Sequence, residues 1–359
     1  MNIQLDLQWQ CQGEALPQAL FELLQAIVEL GSLRAAAEDC ALSYRHAWGM
    51  LQIWQEHFSA PLATLKRGRG KGASLTPLGE KLLWEYQRIA ARLEPELASL
   101  SSELSAELVT LTHQEAPQNN LRIMASHGLV IANLRKLARQ DFHLNLDMQF
   151  KGSLESLQQY KKGRCDVAGF HLPEGDLAQH LLSKLRRLIN PEVDILLYAV
   201  RRRQGLMMAA GNPKQILAVQ DLVKAEVSFI NRQLQSGTRI SLDEILKRAG
   251  VKSTEIEGYD NEEFTHSAVA ALVASGAVDC GYGIEAAAAQ FNLNFIPLNW
   301  ESYWFILPKV RLEEAAFKAF IQLLQSDAFI ASVAGLSGYE TQRSGRVLEV
   351  DTSLSGLVF

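Results

Sequence analysis

The chain has 359 residues, of which 48% are hydrophobic and 21% charged, and its formal net charge is −5. This balance is typical of a globular protein and excludes an intrinsically disordered chain, and the length allows two or more domains. No run of about 18 apolar residues occurs, which excludes a membrane-spanning helix and predicts a protein without a membrane partner.

The amino terminus, MNIQLDLQWQCQGEALP, has neither the basic nor the apolar region of a signal peptide. The four cysteines are scattered and form no CxxC pair, and no His and Cys residues have the spacing of a metal site. Together these features predict a reduced, cytoplasmic protein without a bound metal or cofactor.

The first predicted element is an amphipathic helix whose apolar residues recur every three or four positions. They are Leu20, Leu23, Leu24, Ile27, Val28 and Leu30. Gly31 is placed to end this helix in the left-handed conformation, and Ser32 is placed to cap a second helix. Ser43 is then placed to cap a third helix over about 44–58. Two helices joined by a tight turn predict a helix-turn-helix.

The third helix has an apolar side and an opposite side rich in polar and aromatic residues. A recognition helix contacts base edges mainly from its amino-terminal turns. The residues predicted to contact DNA from this helix are therefore Ser43, Tyr44, Arg45, His46 and Trp48.

A basic, glycine-rich segment follows the third helix. Its cations are Lys66, Arg67, Arg69 and Lys71, interleaved with glycines. Residues 31–75 contain six Lys or Arg against three acids, although the whole chain is acidic. A solvated basic loop is one interpretation, but the preceding helix-turn-helix favours a phosphate-binding hairpin, and we predict that the four cations contact DNA.

One long helical pattern extends from Thr76 to about Leu111. Its leucines and other apolar residues repeat every three or four positions, and Pro95 is expected to kink or split the helix. We predict that residues 81–112 form a dimerisation helix, because a twofold dimer spans half-sites one DNA turn apart. Packing on the helix's own chain is the alternative. The polar residues 113–120 are the predicted linker.

After the linker, short apolar strands alternate with helices, which predicts an α/β domain. The predicted strands are 121–125, 144–151, 166–170, 195–200, 206–209, 227–230, 280–284 and 303–307. The predicted helices are 129–140, 154–163, 241–249 and 268–275.

Four junctions of this domain place hydroxyl groups at a helix start. They are Ser126-His127-Gly128, Gly152-Ser153, Ser236-Gly237-Thr238-Arg239 and Thr265-His266-Ser267. The amino terminus of a helix has unpaired N–H groups and a positive dipole end, and it attracts anions. A single hydroxyl there is usually only a cap, but four in one domain predict convergence on one anion-binding cleft.

The amino-terminal segment resembles the winged helix-turn-helix of ModE-type molybdate-responsive regulators and, more distantly, that of LysR-type regulators. The matching residues are Gly31-Ser32, Ala35-Ala36-Ala37, Leu42-Ser43-Tyr44, Ala47-Trp48, Gly70-Lys71-Gly72 and Leu75-Thr76-Pro77-Leu78-Gly79. The resemblance implies that the third helix enters the major groove and that the basic hairpin is the wing.

The second half resembles the type II periplasmic-binding-protein fold, especially the cytoplasmic molybdate-binding-protein-like domains of regulators. The matching stretches include Lys151-Gly152-Ser153-Leu154, Asp166-Val167-Ala168-Gly169-Phe170-His171-Leu172, Arg203-Gln204-Gly205-Leu206, Asn231-Arg232-Gln233 and Gly281-Tyr282-Gly283-Ile284. This implies two lobes, one of residues 121 to about 200 plus the carboxyl-terminal return and one of about 201–300, with an anion between them.

In secreted molybdate-binding proteins, two serines, backbone amides and a tyrosine hold the oxyanion. Ser126 and Ser153 match the serines by position, whereas Ile284 occupies the place of the tyrosine and Tyr282 lies two residues away. Arg239 would add a cation that the family pattern lacks, as would a charged histidine. The resemblance implies molybdate or tungstate, bound by Ser126, His127, Ser153, Ser236, Gly237, Thr238, Arg239, Thr265, His266 and Tyr282.

The predicted fold is multidomain, with an α-rich winged helix-turn-helix, a long dimerisation helix and an α/β two-lobed periplasmic-binding-protein-like domain. The predicted segments are 1–80, 81–112, 113–120, 121–340 and a tail at 341–359. The predicted function is a one-component transcriptional regulator that binds operator DNA as a homodimer or higher oligomer and responds to an oxyanion.

Two other function classes are open to the sequence. A solute-binding component of an oxyanion transporter would suit the second half alone, but the helix-turn-helix and the lack of a signal peptide disfavour it. An enzyme could use Ser126 with His127, or other histidines with acids. Adjacent side chains cannot easily face each other and no GxSxG elbow occurs, so we expect no catalytic residues.

Overall fold

The computed structural model describes residues 3–65, 72–112, 119–126, 128–234 and 236–349. The chain divides into two compact units. The small unit is Asp6–Leu93, and the large unit is Met1–Leu5 with Glu94–Phe359. Within the described ranges, none of the helices has the length and apolarity that a bilayer crossing requires.

The small unit contains three short helices, two hairpins and the start of a long helix. Its elements are β1 (Trp9–Cys11), β2 (Glu14–Leu16), α1 (Gln18–Leu30), α2 (Leu33–Asp39), α3 (Tyr44–Phe58), β3 (Ala63–Leu65), β4 (Ala73–Leu75) and the first part of α4 (Pro77–Leu111). The predicted helix ends are confirmed, since Gly31 is left-handed at φ 61° and Ser32 Oγ accepts from the Ala35 N–H at 3.5 Å. The β1–β2 hairpin was not predicted.

The apolar faces of α1, α2 and α3 form the core of the small unit. Leu20 and Ala36 are fully buried, and Trp54 of α3 is 5% exposed. Phe21 stacks on Tyr86 of α4, with ring centroids 3.8 Å apart. Gly79 contacts the Leu62 carbonyl so closely that a Cβ would collide with it, which fixes the start of α4 against the helix-turn-helix.

Helix α4 is a single helix that contains Pro95, so the proline does not split it. A proline costs a helix one backbone hydrogen bond, and a helix of this length with tertiary contacts tolerates that loss. The boundary between the two units falls at Leu93/Glu94, inside the segment 81–112 that the sequence predicted as the dimerisation helix.

The second half of α4 packs on the large unit. Ser99 Oγ accepts from the Phe150 N–H at 2.9 Å, and Ser102 Oγ donates to the Asp147 carboxylate. On another side of the helix, Ser101 Oγ accepts from the Leu5 N–H at 2.9 Å. Ser99 and Ser102 therefore fasten this part of α4 to Asn145–Phe150, the edge strand of the large unit's sheet, and Ser101 fastens it to the amino-terminal segment.

The large unit is built on one sheet with helices around it. Its strands are β5 (Asn120–Ala125), β6 (Asn145–Phe150), β7 (Val167–Pro173), β8 (Asp194–Met208), β9 (Phe229–Arg232), β10 (Glu262–Glu263), β11 (Cys280–Ile284), β12 (Asn294–Pro308), β13 (Tyr339–Glu340) and β14 (Val347–Leu348). Its helices are α5 (Leu129–Asp141), α6 (Ser153–Lys161), α7 (Gln179–Leu185), α8 (Gly237–Arg248), α9 (His266–Ala274), α10 (Glu285–Gln290), α11 (Ala315–Gln325) and α12 (Asp327–Ala334).

The strand order β10-β9-β11-β8-β12-β7-β5-β6 gives two lobes that share two long strands. β8 and β12 pair antiparallel from Asn294↔Met208 to Pro308↔Asp194 and pass through both lobes. The two separate strands predicted at 195–200 and 206–209 are thus one strand of 15 residues. The prediction was wrong there because Arg201–Arg203 interrupt the apolar pattern.

The carboxyl-terminal segment is part of the sheet as far as it is described. Tyr339 pairs with Arg202, and Leu348 pairs with Leu196, both on β8. Residues 341–349 of the predicted tail therefore cover one edge of β8 in the first lobe, where an unpaired edge would expose N–H and C=O groups.

Candidate functional site

The amino-terminal turns of α3 project from the small unit. Ser43 Oγ accepts from the His46 N–H at 3.1 Å and caps the helix. Tyr44 is 49% exposed and Trp48 45% exposed, and Arg45 is exposed beside them. All five residues predicted to contact DNA from this helix therefore lie on an accessible surface, because the helix buries its opposite side.

The strands of the predicted wing are present. β3 and β4 pair antiparallel, from Ala63↔Leu75 to Leu65↔Ala73. The predicted phosphate contacts Lys66, Arg67, Arg69 and Lys71 lie outside the described residues.

A buried ion pair joins the two long strands of the large unit. Arg202 of β8 is 3% exposed and Glu301 of β12 is 1% exposed. One carboxylate oxygen of Glu301 accepts from Arg202 Nε at 2.9 Å, from its Nη2 at 2.8 Å and from Gln204 Nε2 at 2.8 Å. Burial raises the pKa of Glu301 and Arg202 opposes that rise. Three N–H donors on one oxygen indicate the carboxylate form.

Two histidines from different lobes flank Arg202. Arg202 Nη2 lies 3.2 Å from Nε2 of His171 on β7 and 3.4 Å from Nε2 of His266 at the start of α9. Burial, together with Arg202, holds the pKa of His171 well below its usual range. A neutral His171 accepts from Arg202 through Nε2, which leaves the proton on Nδ1, 3.5 Å from Glu301.

A second buried arginine, Arg232, ends β9 in the other lobe and is 8% exposed. Its Nε donates to Gln233 at 3.1 Å and its Nη2 to the Phe264 carbonyl at 2.7 Å. Its Nη1 is buried and has no hydrogen-bond partner among the described residues. Burial, followed by repulsion from Arg202, lowers the pKa of Arg232 to about 9. A bound anion would offset both effects.

Both serines predicted in the first lobe lie beside the same His–Tyr pair. Ser153 Oγ accepts from the His171 backbone N–H at 3.1 Å. Ser126 lies beside Tyr303, whose hydroxyl donates to the Ser126 carbonyl at 3.5 Å. The rings of His171 and Tyr303 pack edge to face with centroids 4.3 Å apart. Within the described chain the buried Ser126 hydroxyl makes no well-aligned hydrogen bond. His127 lies outside the described residues.

Among the predicted residues at the starts of α8 and α9, two cap their helices and one contacts the residues around the buried ion pair. Ser236 and Thr265 cap α8 and α9 by accepting from backbone N–H groups, each at 3.1 Å. Gly237 provides the first residue of α8. Thr238 Oγ1 accepts from Gln204 Nε2 at 3.4 Å, which joins α8 to the buried ion pair.

Two predicted ligand contacts are engaged elsewhere. The guanidinium of Arg239 lies 4.0 Å over the Tyr259 ring and donates to Asp243 at 3.2 Å, within the second lobe. Tyr282 is fully buried, and its hydroxyl lies 3.0 Å from Gln204 Oε1 and 2.6 Å from Asn299 Oδ1. Tyr282 therefore positions Gln204.

A small pocket, with about 200 Å³ of empty space that includes the open solvent at its mouth, adjoins Arg202. Its lining residues are Gly128, Val130, Ile131, His171, Val200, Arg202, Tyr303 and Tyr339. The Tyr339 hydroxyl lies 3.5 Å from Arg202 Nη1. We define the hinge cleft as this pocket together with three residues linked to its charged groups. His266 contacts Arg202, Thr238 contacts Gln204, and the charge of Arg232 acts on His171 and Arg202.

Arg202, Arg232 and Glu301 were not predicted from the sequence as ligand contacts. The usable signal was polar residues in strands that are otherwise apolar. Arg202 and Gln204 are two positions apart on β8, so they share one face of the strand. Glu301 precedes the apolar run of β12. Buried charge inside a strand is costly and usually paired or functional.

Gly169 leaves the space that Tyr303 occupies. A Cβ at residue 169 would collide with the Tyr303 hydroxyl and would lie 3.0 Å from the Ala125 Cβ. Gly169→Ala is therefore expected to displace Tyr303 and lower the free energy of unfolding by about 1–3 kcal/mol, measured by urea denaturation. Adding Tyr303→Phe should recover part of that loss, and purely additive effects of the two changes would contradict the collision.

Comparison with known proteins identifies both parts of the chain. Residues 134–325 match the family model of the PBP superfamily domain. Residues 19–80 match the model of the bacterial regulatory helix-turn-helix protein, lysR family. The wing strands and the start of α4 fall at the end of the second match.

Three relatives show how far the similarity extends. The uncharacterized protein YvgK of Bacillus subtilis is 36% identical over 200 residues, covering 56% of this chain and 64% of that protein. An uncharacterized Clostridium pasteurianum protein, from the 5′ region of a 2Fe-2S ferredoxin gene, is 34% identical over 110 residues, covering 30% of this chain and 97% of that protein. The molybdenum-pterin-binding protein MopB of Rhodobacter capsulatus is 40% identical over 87 residues, covering 24% and 32%.

The two family matches agree with the structure. The PBP match lies inside the two-lobed unit, and the helix-turn-helix match covers α1, α2 and α3. The predicted fold class is thereby confirmed. The chain belongs to the PBP superfamily, and it joins a PBP-like domain to a LysR-type helix-turn-helix.

Proposed function

We propose that this protein is a transcriptional regulator that binds DNA through α3 and senses a small oxyanion in the hinge cleft. The observation that carries the ligand part is Arg232, a buried guanidinium with an N–H group that no described residue accepts. Glu301 and Glu263 oppose part of the cost of burying this charge, but Glu301 already accepts from Arg202, so an anion near Arg232 Nη1 would gain both a hydrogen-bond donor and a positive charge.

The DNA part rests on the exposed amino-terminal turns of α3 within a LysR-type helix-turn-helix. Arg45 suits a base edge or phosphate, and Tyr44 and Trp48 suit sugar or base contacts. Leu100 and Leu104 on α4 are 46% and 37% exposed, which supports the proposal that a second copy pairs along this helix. A twofold dimer presents two recognition helices to successive major grooves.

The proposed ligand is molybdate or tungstate. The serines at 126 and 153 support this proposal, because hydroxyl donors suit an oxyanion, and so does the name of the relative MopB. The two buried arginines distinguish the cleft from a site of neutral donors only. A doubly charged anion would gain more from Arg232 than a neutral ligand would.

A short covalent path connects the cleft to α4. Phe150, whose N–H is held by Ser99, is three residues before Ser153. A ligand that draws Ser153 toward the cleft therefore acts on the end of β6 and on the helix fastened there. The ligand must prefer one arrangement of the lobes, since equal binding to both would shift nothing.

Fluorescence anisotropy with duplex DNA from the region upstream of the gene tests the DNA part. Arg45→Ala is expected to weaken binding about tenfold, as the loss of one good base or phosphate contact does. Lys81→Ala, an exposed change on α4 in the same unit, should leave affinity nearly unchanged. Absence of salt-sensitive binding by the natural protein would contradict the proposal.

Calorimetric titration with molybdate, tungstate, sulfate and phosphate tests the ligand part. Binding of only the first two anions, weakened by Ser153→Ala, is the expected result. Binding of sulfate or phosphate instead would keep the oxyanion cleft and change its ligand. No heat with any of the four would overturn the ligand part and leave the DNA part standing.

A further inference from the structure

Two segments of the first lobe concentrate positive charge without any acidic residue. Residues 156–165 and residues 177–191 contain no Asp or Glu. They contribute six exposed cations, which we call the lobe-1 basic face. Its members are Lys161, Lys162, Arg164, Lys184, Arg186 and Arg187.

The fold brings the two segments side by side. Lys161 Nζ donates to the Arg187 carbonyl at 2.7 Å, across 26 positions of the chain. α6 begins at Ser153 beside His171 in the hinge cleft and ends at Lys161, eight positions later. At about 1.5 Å per residue, the basic face lies roughly 12 Å from that end of the cleft, so it is separate from the ligand site.

Five of the six cations take part in none of the ion pairs found among the described residues of the large unit. They are Lys161, Lys162, Arg164, Lys184 and Arg187. Nearby, by contrast, Arg122 and Arg311 both pair with Asp166. Most cations of the basic face are thus outside any ion pair, although Lys161 also acts on the Asp194 carboxylate, whereas Arg122 and Arg311 are neutralised by Asp166.

Helix dipoles explain only a part of this pattern. Lys161 and Lys184 occupy the last turns of α6 and α7, where the carboxyl end of a helix favours cations. Lys162, Arg164 and Arg187 follow the helix ends and gain little from the dipoles. Several like charges on one face of a chain with net charge −5 repel one another unless a polyanion is near.

We propose that the lobe-1 basic face is a second DNA-binding surface, which contacts the phosphate backbone outside the segment reached by α3. Exposed Lys and Arg side chains suit phosphate contacts that carry no sequence information. The inference rests on the proposed DNA-binding function, because that function brings duplex DNA to the same chain.

The test measures DNA binding by the full-length protein as a function of salt. The variant replaces Lys162, Arg164, Lys184 and Arg187 with glutamine. The control replaces an equal number of exposed lysines and arginines elsewhere in the large unit, at Lys136, Arg139, Lys247 and Arg346. Both variants change the net charge equally. The probes are upstream duplexes of about two helical turns (roughly 20 base pairs) and about six turns (roughly 60 base pairs).

On the long duplex, the variant is expected to flatten the slope of log Kobs against log salt by about 2–4, since each phosphate contact contributes about 0.9. The control should leave that slope unchanged, and both variants should resemble the natural protein on the short duplex. Equal slopes for variant and control on the long duplex would overturn the proposal. If the natural protein binds neither duplex, the proposed DNA-binding function itself fails.

Discussion

Glu301→Ala is expected to lower the free energy of unfolding of the large unit by about 3–5 kcal/mol, as breaking a buried ion pair does. The change removes the single oxygen that accepts from Arg202 and from Gln204. Arg202 would then remain buried as an uncompensated charge beside Arg232. Urea denaturation followed by far-UV circular dichroism measures the loss.

Two control variants accompany Glu301→Ala. Glu313→Ala removes a fully exposed carboxylate whose single ion pair among the described residues is with Lys318, and it should have little effect on unfolding. Adding Arg202→Met to Glu301→Ala removes both charges, and this double variant should be more stable than Glu301→Ala alone. A double variant less stable than Glu301→Ala would show that Arg202 stabilises the fold through other contacts.

The helix-turn-helix of the small unit was largely predictable from the sequence. Gly31, Ser32 and Ser43 act locally, through backbone conformation and through hydrogen bonds to residues three positions away. Because these interactions involve residues that are close in the sequence, the boundaries of α1, α2 and α3 could be predicted. The same holds for Ser236 and Thr265, which cap α8 and α9 as expected of hydroxyl residues before a helix.

The contacts within the hinge cleft could not be predicted from the sequence. Arg202 and Glu301 are 99 positions apart, and only the antiparallel register of β8 and β12 brings them together. The chain order gave no reason to prefer Arg232 over Arg239 as a ligand contact. Tertiary structure separates them, because Tyr259 and Asp243 engage Arg239, whereas part of Arg232 is left without an acceptor.

This difference between the two arginines leads to the second large effect. Arg232→Met removes a charge that burial and Arg202 disfavour, but also its attraction to Glu301 and Glu263 and its hydrogen bonds to Gln233 and Phe264. Because these effects oppose one another, the Tm of the unliganded protein should change little. The same change should abolish stabilisation by the anion, which for the natural protein amounts to about 2.7 kcal/mol at 100 times Kd. Thermal unfolding with each of molybdate, tungstate, sulfate and phosphate measures both quantities.

Arg239→Met is the matched control, since it also truncates a buried guanidinium to an apolar side chain of similar length. It breaks the contact with the Tyr259 ring and the ion pair to Asp243, so it should lower Tm while leaving the anion-induced shift intact. Arg232→Met is thus expected to remove the anion-induced shift in Tm, and Arg239→Met to lower the Tm of the unliganded protein. An anion-induced shift that survives Arg232→Met but not Arg239→Met would move the ligand from the hinge cleft to the start of α8, where the sequence had placed one of its contacts.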